Sequence, residues 1–84
     1  MYDFYMTVRS VTWGQKGRDA LTKAGLRCAL LRAPREISDG SCAYALATRR
    51  RDAERAQTVL TQAGVGWQGC FLQRQDGSFM RMER

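Results

Sequence analysis

The first two segments of the chain have different patterns of apolar and polar positions. The first pattern is typical of a half-buried β-strand, and the second is typical of a helix. Over residues 2–9 every second side chain is apolar, at Phe4, Met6 and Val8. This alternation predicts a strand with one buried face. Over residues 12–24 the spacing is helical, and one face carries Trp13, Gly17, Ala20, Leu21 and Ala24. We expect Thr12 to cap this helix, Gly25 to end it, and Gly17 to allow close packing.

A second and a third strand are separated by the only proline and a polar turn. Residues 27–33 alternate as a strand, and Pro34 ends it. Because proline lacks a backbone donor, this strand is expected at a sheet edge. Residues 38–41, Ser-Asp-Gly-Ser, have the chemistry of a turn. Residues 42–48 are apolar on both faces, which predicts a strand at the centre of the sheet.

Residues 49–64 predict a second helix, and residues 65–74 predict a fourth strand. The apolar stripe of the helix consists of Ala53, Ala56, Val59, Leu60 and Ala63. Gly64 is placed to end the helix. After it, Asp76-Gly77 can turn the chain into a short fifth strand over residues 78–82, and a frayed tail is the alternative.

An internal similarity links the two halves of the chain. Residues 21–26 (Leu-Thr-Lys-Ala-Gly-Leu) recur as residues 60–65 (Leu-Thr-Gln-Ala-Gly-Val), each time where a helix ends and a strand follows. The chain is therefore strand-helix-strand twice. With right-handed crossovers, this order predicts an α+β fold, a ferredoxin-like two-layer sandwich (βαββαβ) with two helices on one face of an antiparallel four-stranded sheet, in which strand 1 lies beside strand 3. Residues 1–74 form this single domain, and residues 75–84 form a C-terminal hairpin extension or a frayed tail.

Composition agrees with one small globular domain of 84 residues, 44% of them apolar. The chain has no basic leader followed by an apolar run, and no segment approaches the ~20 apolar residues of a membrane span. We therefore expect a cytoplasmic protein without membrane contact. The net charge of +6, carried mostly by arginines, permits binding of nucleic acid or other anions, although a solvated basic surface would give the same count.

The cysteines indicate free thiols. The three of them lie far apart, form no C-x-x-C pair and have no histidine to accompany them. A metal site and a cofactor are therefore not expected. Without histidine or a phosphate-binding glycine loop, conventional hydrolase or kinase activity is not expected either. Cys28 and Cys70 fall within predicted strands, where a free cysteine is usually an apolar filler.

Cys42 differs from the other two cysteines because it lies where a loop meets a strand. In the predicted topology, the end of strand 1 and the start of the first helix lie beside it. The positive end of that helix, together with Arg9 and Arg35, would favour the thiolate and lower the pKa of Cys42. Asp39 and Glu36 would oppose this shift. A buried apolar filler is the alternative for Cys42 as well.

A second candidate site is the run Arg49, Arg50 and Arg51 at the start of the second helix, at the opposite end of the sheet. The run could contact phosphate or RNA. A solvated charged surface is the alternative, since no RNP-type aromatic motif accompanies it. Trp13 and Trp67 are expected to anchor the core.

Several segments resemble those of a known family. They are residues 10–13 (Ser-Val-Thr-Trp) before a helix, Leu21-x-x-Ala24-Gly25-Leu26, Pro34-Arg35-Glu36-Ile37-Ser38, Cys42-x-Tyr44-x-Leu46 and Leu60-x-x-Ala63-Gly64-Val65. Together they are similar to the putative selenium/sulfur carrier protein-like family, a small domain of unknown function, from about strand 1 through strand 4. The resemblance implies that Cys42 occupies the position of a cysteine that carries sulfur or selenium as a persulfide or selenosulfide. Ala43 stands where that family has glycine.

The leading hypothesis is a chalcogen carrier or thiol-reactive accessory protein. Cys42 would accept sulfur or selenium from a donor protein and pass it to an acceptor by exchange. Arg35 and Arg9 would stabilise the anion, and Ser38 and Ser41 would donate hydrogen bonds to it. This chemistry requires no cofactor.

Two other classes of function stay open at this point. One is a non-enzymatic basic module that binds nucleic acid or an acidic partner protein through the arginines at 49–51. The other is a small oligomerisation domain, in which the open face of the sheet pairs with a second copy as a homodimer.

Overall fold

The computed structural model describes residues 2–38, 40 and 43–82. The elements follow the predicted order: β1 (Phe4–Val8), α1 (Val11–Lys23), β2 (Cys28–Arg32), β3 (Tyr44–Thr48), a 3-10 turn (Arg50–Asp52), α2 (Ala53–Gln62), β4 (Gly69–Gln73) and β5 (Phe79–Met82). No helix in the part of the chain that the structure describes is long and apolar enough to span a membrane.

The strands form one antiparallel sheet in the order β2-β3-β1-β4-β5. The α+β class, the two helices, the neighbouring positions of β1 and β3 and the edge position of β2 are confirmed. The four-stranded ferredoxin-like sheet is not matched, because β5 adds a fifth strand beside β4. The turn before β5 explains this addition. Gly77 adopts φ 90°, and the carboxylate of Asp76 accepts a hydrogen bond from the Ser78 amide at 2.9 Å.

The main core lies between the sheet and the two helices. It is built from the residues of β1, β3 and β4 that face the helices and from apolar residues of both helices. Its largest fully buried members include Phe4, Met6, Val8, Leu21, Leu46 and Leu60. The two helices contact each other and cover the same face of the sheet. The alternation of apolar residues over residues 2–9 therefore predicted the buried face of β1 correctly.

Helix α1 packs very close to the sheet because glycine occupies two of its three buried positions, Gly14 and Gly17. A Cβ atom at Gly17 would lie 2.6 Å from Leu46 Cδ1 and 3.2 Å from Leu60 Cδ2, and one at Gly14 would overlap Leu30. The predicted close packing at Gly17 is confirmed. These contacts fix the distance between α1, the sheet and α2.

The cap of α1 differs from the prediction. Ser10, not Thr12, is the N-cap, and its Oγ accepts a hydrogen bond from the Trp13 amide at 3.2 Å. The helix consequently begins at Val11. At the other end, Gly25 with φ 82° follows the last turn as predicted.

Trp13 is exposed rather than buried, with 42% of its surface accessible. The buried face of α1 is centred on Gly14, Gly17 and Leu21. Trp13 lies about 100° around the helix axis from Gly14, which turns its ring away from the core. The prediction that Trp13 anchors the core is therefore wrong, whereas Trp67 packs against the core as expected.

Replacing Gly17 with alanine should destabilise the fold. The new methyl group would force Leu46 or Leu60 to move, and both side chains are fully buried and have no solvent-facing space to move into. Overpacking of this kind costs about 1–3 kcal/mol, and most of this range lies above the gain of about 1 kcal/mol from helix propensity. We expect a lower thermal midpoint by circular dichroism. Gly66→Ala is the matched control, since a Cβ there meets nothing within 4 Å. A Gly17→Ala variant as stable as the wild type would contradict the close approach.

Candidate functional site

The candidate site lies at the end of the sheet where β1 ends, α1 begins and β3 begins. Val8, the last residue of β1, is paired with Tyr44, the first residue of β3. Arg9 and the cap Ser10 follow Val8 directly. The end of β1 therefore lies beside the start of β3, whereas the predicted place of Cys42 beside Arg9 and Ser10 stays a prediction. Arg32 lies over the ring of Tyr44, with Cζ 5.6 Å from the ring centroid.

The loop between β2 and β3 is closed at its base and anchored by one apolar side chain. The amide of Ala33 donates a hydrogen bond to the carbonyl of Ala43 at 2.9 Å, which extends the hairpin by one pair. Residues 34–38 form a helical turn in which the amides of Ile37 and Ser38 donate to the Pro34 carbonyl. Ile37 is only 5% exposed although it lies in a loop, so this part of the loop is held against the protein.

The predicted site residues fall at two places. Arg35 is exposed on the helical turn, and Ser38 is half-buried at the end of it. Arg9 is exposed at the junction of β1 and α1. Cys42 and Ser41, together with Asp39, lie outside the described residues. β3 begins at Tyr44, two residues later than the predicted strand.

A shallow pocket of about 200 Å³ opens at the same end of the sheet. Its lining includes Arg9, Trp13, Gly66 and Gln68. The ammonium group of Lys16 lies 5.3 Å from the centroid of the Trp13 indole. Cations thus border an exposed aromatic ring here, and the first turn of α1 contains no acidic residue. Such a surface favours an anionic group. Sequence reasoning missed this pocket because it assigned Trp13 to the core.

Cys28 is half-buried and its environment disfavours ionisation. Its sulfur lies 4.0 Å from Thr22 Oγ1 and 3.9 Å from the carbonyl oxygen of Arg18. Burial raises the pKa of the Cys28 thiol, and this outweighs the opposite effects of the Thr22 hydrogen bond and the Arg18 charge; Asp19 raises it further. Cys28 is therefore a poor nucleophile.

Cys70 lies on β4 and is only 3% exposed. It belongs to the core cluster between the sheet and the helices. Cys70 thus lies in the core as the sequence predicted, whereas Cys28 packs against the core and its sulfur also contacts polar groups of Thr22 and Arg18.

The arginine run lies beyond the far end of β3, as expected, and two of its members form ion pairs. Arg49 Nε donates to the carboxylate of Asp52 at 3.2 Å. Asp3 accepts from the amide of Arg50 at 2.8 Å, and its other oxygen lies 3.6 Å from Arg50 Nε. Arg51 is exposed. The Arg50 contacts tie the turn before α2 to Asp3, which directly precedes β1, and the Arg49 pair lies within the turn itself. Arg49 and Arg50 therefore have structural roles. Binding of nucleic acid by the run stays a prediction.

Potential metal ligands are dispersed. Over residues 2–38, 40 and 43–82, no three side chains of the His, Cys, Asp and Glu types come together as a group that could hold a metal ion.

Comparison with known proteins identifies a family for this chain. A family model described as "Putative Se/S carrier protein-like" matches residues 3–72. This range contains β1 through most of β4 and includes all three cysteines. No curated protein and no solved structure matches the chain significantly.

The alkylation of Cys28 should have its pH midpoint above that of the same thiol in the denatured chain. The raised pKa in the fold keeps Cys28 protonated to higher pH, so its reaction with iodoacetamide, followed by mass spectrometry across a pH series, should be slow near neutrality. Removing the hydroxyl in Thr22→Val should slow it further, because this hydrogen bond lowers the pKa. Thr58→Val, on exposed α2 surface, is the control. A midpoint at or below the denatured value would contradict this environment.

Proposed function

Because the chain belongs to the Putative Se/S carrier protein-like family, we propose that it accepts and transfers sulfur or selenium on Cys42. The proposal rests on the match of the family model to residues 3–72. This range includes Cys42, which lies in the sequence between the proline loop and β3. The family supplies the class of function, and the assignment to Cys42 rests on the chain around it.

The surrounding topology supports this assignment. Cys42 precedes Tyr44 by two residues, so that their Cα atoms are at most about 7.6 Å apart. Tyr44 in turn is paired with Val8, beside Arg9 and the N-cap Ser10. The positive end of α1 and the guanidinium group of Arg9 therefore lie at the end of the sheet that Cys42 adjoins in sequence. Both favour a thiolate and a negatively charged persulfide over their protonated forms.

The proposed step is an exchange with a persulfide of a donor protein. The Cys42 thiolate attacks the terminal sulfur of the donor R–S–SH, a new S–S bond forms to Cys42, and the old S–S bond breaks to release the donor thiolate R–S⁻. The terminal sulfur, which is at the sulfane level, keeps its oxidation state and its proton. The same exchange with an R–S–SeH donor transfers selenium. No further oxidant or reductant is consumed, and an acceptor thiol reverses the step to receive the atom.

The other two cysteines are less suited to this chemistry. Burial raises the pKa of Cys28 and so lowers its thiolate fraction. Cys70 is 3% exposed within the core. A donor protein must bring its own sulfur within bonding distance, and Cys70 exposes little of its surface for such an approach, at the wall of a pocket of about 530 Å³ that Phe4 and Leu72 also line.

Incubation with a persulfide donor should add the mass of one sulfur atom to Cys42. Peptide mass spectrometry of the native protein would locate the adduct, which a reducing thiol should remove. Cys42→Ser should abolish the adduct, whereas Cys28→Ser should retain it. An adduct that persists in Cys42→Ser and disappears in Cys28→Ser would overturn the assignment.

Arg9→Ala should slow the alkylation of Cys42 by iodoacetamide at neutral pH by up to about fivefold, since an exposed charge contributes about 1 kcal/mol at most to the thiolate. The effect should shrink at high ionic strength. Arg51→Ala makes the same charge change at the far end of the sheet and should leave the rate unchanged. Equal effects of the two substitutions would show that only the net charge of the protein matters.

A further inference from the structure

The face of the sheet opposite the helices carries a cluster of aromatic side chains next to cations. Alternation along the strands places Tyr5 of β1, Phe71 of β4, and Phe79 and Arg81 of β5 on this face. The strand register pairs Tyr5 with Phe71, and Phe71 with Arg81. These four residues, which we call the aromatic face, are neighbours across three adjacent strands.

Contacts within the aromatic face hold its rings in fixed orientations. The rings of Tyr5 and Phe79 meet edge to face with centroids 5.3 Å apart. The Arg81 guanidinium lies over Phe71, with Cζ 5.4 Å from the ring centroid. The Phe71 ring packs closely over Gly69, where an added Cβ atom would lie 3.0 Å from Phe71 Cε1. Tyr5 Oη also donates to Gln73 Oε1 at 3.2 Å. Tyr5 and Phe79 remain half-exposed, and Arg81 is exposed.

A pocket of about 470 Å³ adjoins the aromatic face through Gln73. Its lining includes Asp3, Arg50, Gln73 and Arg74. Arg50 is paired with Asp3, whereas Arg74 contacts the hydroxyl of Ser78 through Nη1 at 3.3 Å. Within the described residues, neither Arg74 nor Arg81 forms an ion pair with a carboxylate. The charge of Arg81 is therefore available to an anionic ligand, whereas that of Arg74 is partly compensated by the nearby Asp76, whose pKa it helps to lower.

The carboxylates near this surface are engaged by the protein itself. Asp3 binds the amide and the side chain of Arg50. Asp76 accepts hydrogen bonds from the amide and the hydroxyl of Ser78 at 2.9 and 2.6 Å. The remaining charge of the surface is positive, as is that of the whole chain, at +6.

We propose that the aromatic face binds single-stranded nucleic acid. Aromatic rings on a sheet, bordered by arginines, match the stacking of unpaired bases and the charge of the phosphate backbone. Bases stack on the exposed parts of Tyr5 and Phe79, and phosphates lie against Arg81 and Arg74. This function is additional to chalcogen transfer and uses the open face of the sheet rather than the end at which β3 begins.

A second copy of the chain is less suited to this surface. Pairing two aromatic faces would bring the Arg81 side chains of both copies to one interface, where no carboxylate of the described residues forms an ion pair with them. Like charges at an interface cost several kcal/mol. The same positive charges attract a polyanion such as nucleic acid.

Fluorescence anisotropy with fluorescein-labelled oligo(U) and oligo(dT) of about 12 nucleotides, a length suited to one small domain, tests the proposal. We expect binding at low salt that weakens as salt rises. Phe79→Ala should raise the Kd at least about fivefold, which is the lower limit for loss of one stacked base. Arg81→Ala should also raise it, and Arg51→Ala, an exposed arginine outside the aromatic face, should change it less than about twofold.

Circular dichroism of each variant separates loss of binding from loss of folding, and Tyr5→Phe, which keeps the ring, should retain binding. A difference between oligo(U) and oligo(dT) would identify RNA or DNA as the preferred ligand within the proposal. The proposal is overturned if neither oligonucleotide binds, if a folded Phe79→Ala binds as the wild type does, or if Arg51→Ala weakens binding as much as Arg81→Ala.

Discussion

The close approach of α1 to the sheet is the constraint on which the rest of this structure depends. Side chains of ordinary size at positions 14 and 17 would collide with Leu30, Leu46 and Leu60, so glycine at both sets the helix against β2, β3 and α2 at once. The helix axis is thereby fixed relative to β1, and the short connection through Arg9 and Ser10 has little freedom. The start of α1 consequently lies beside the end of β1 and the start of β3, where the candidate site is found.

The sequence predicted the order of the elements because the two periodicities of the chain are clear. Alternation marks β1, helical spacing marks α1 and α2, and Gly25 and Gly64, which both adopt positive φ, mark the helix ends. The cap was misplaced because Ser10 and Thr12 have equivalent chemistry, and only the backbone decides which hydroxyl meets the Trp13 amide. The fifth strand depended on whether a four-residue segment would pair with β4, which local sequence does not determine.

The candidate site was predicted less completely than the fold, and the reason is the same close packing. Large apolar residues on a helix usually face the core, yet the two glycines bring the backbone of α1 so near the sheet that Trp13 is left at the flank of the helix. Its exposure creates the pocket with Arg9 and Gln68. The juxtaposition of Arg9, Ser10 and the start of β3 was predictable, since it follows from antiparallel pairing of the first and third strands alone.

The structure shows which arginines are paired with carboxylates and which are not, and composition alone does not show this. Arg49 and Arg50 lie in the run of three arginines, but each of them is paired with a carboxylate, Asp52 and Asp3 respectively. Arg81 is isolated in the sequence and yet lies over an aromatic ring on an open sheet face. The Arg81 guanidinium group is stacked on a ring and has no ion pair within the described residues, so its charge can attract an external anion. Whether an arginine can bind an anion therefore depends more on its place in the fold than on the number of charges beside it in the sequence. Among the described residues, cations therefore border both the end of the sheet where β1 ends and β3 begins and the open face of the sheet.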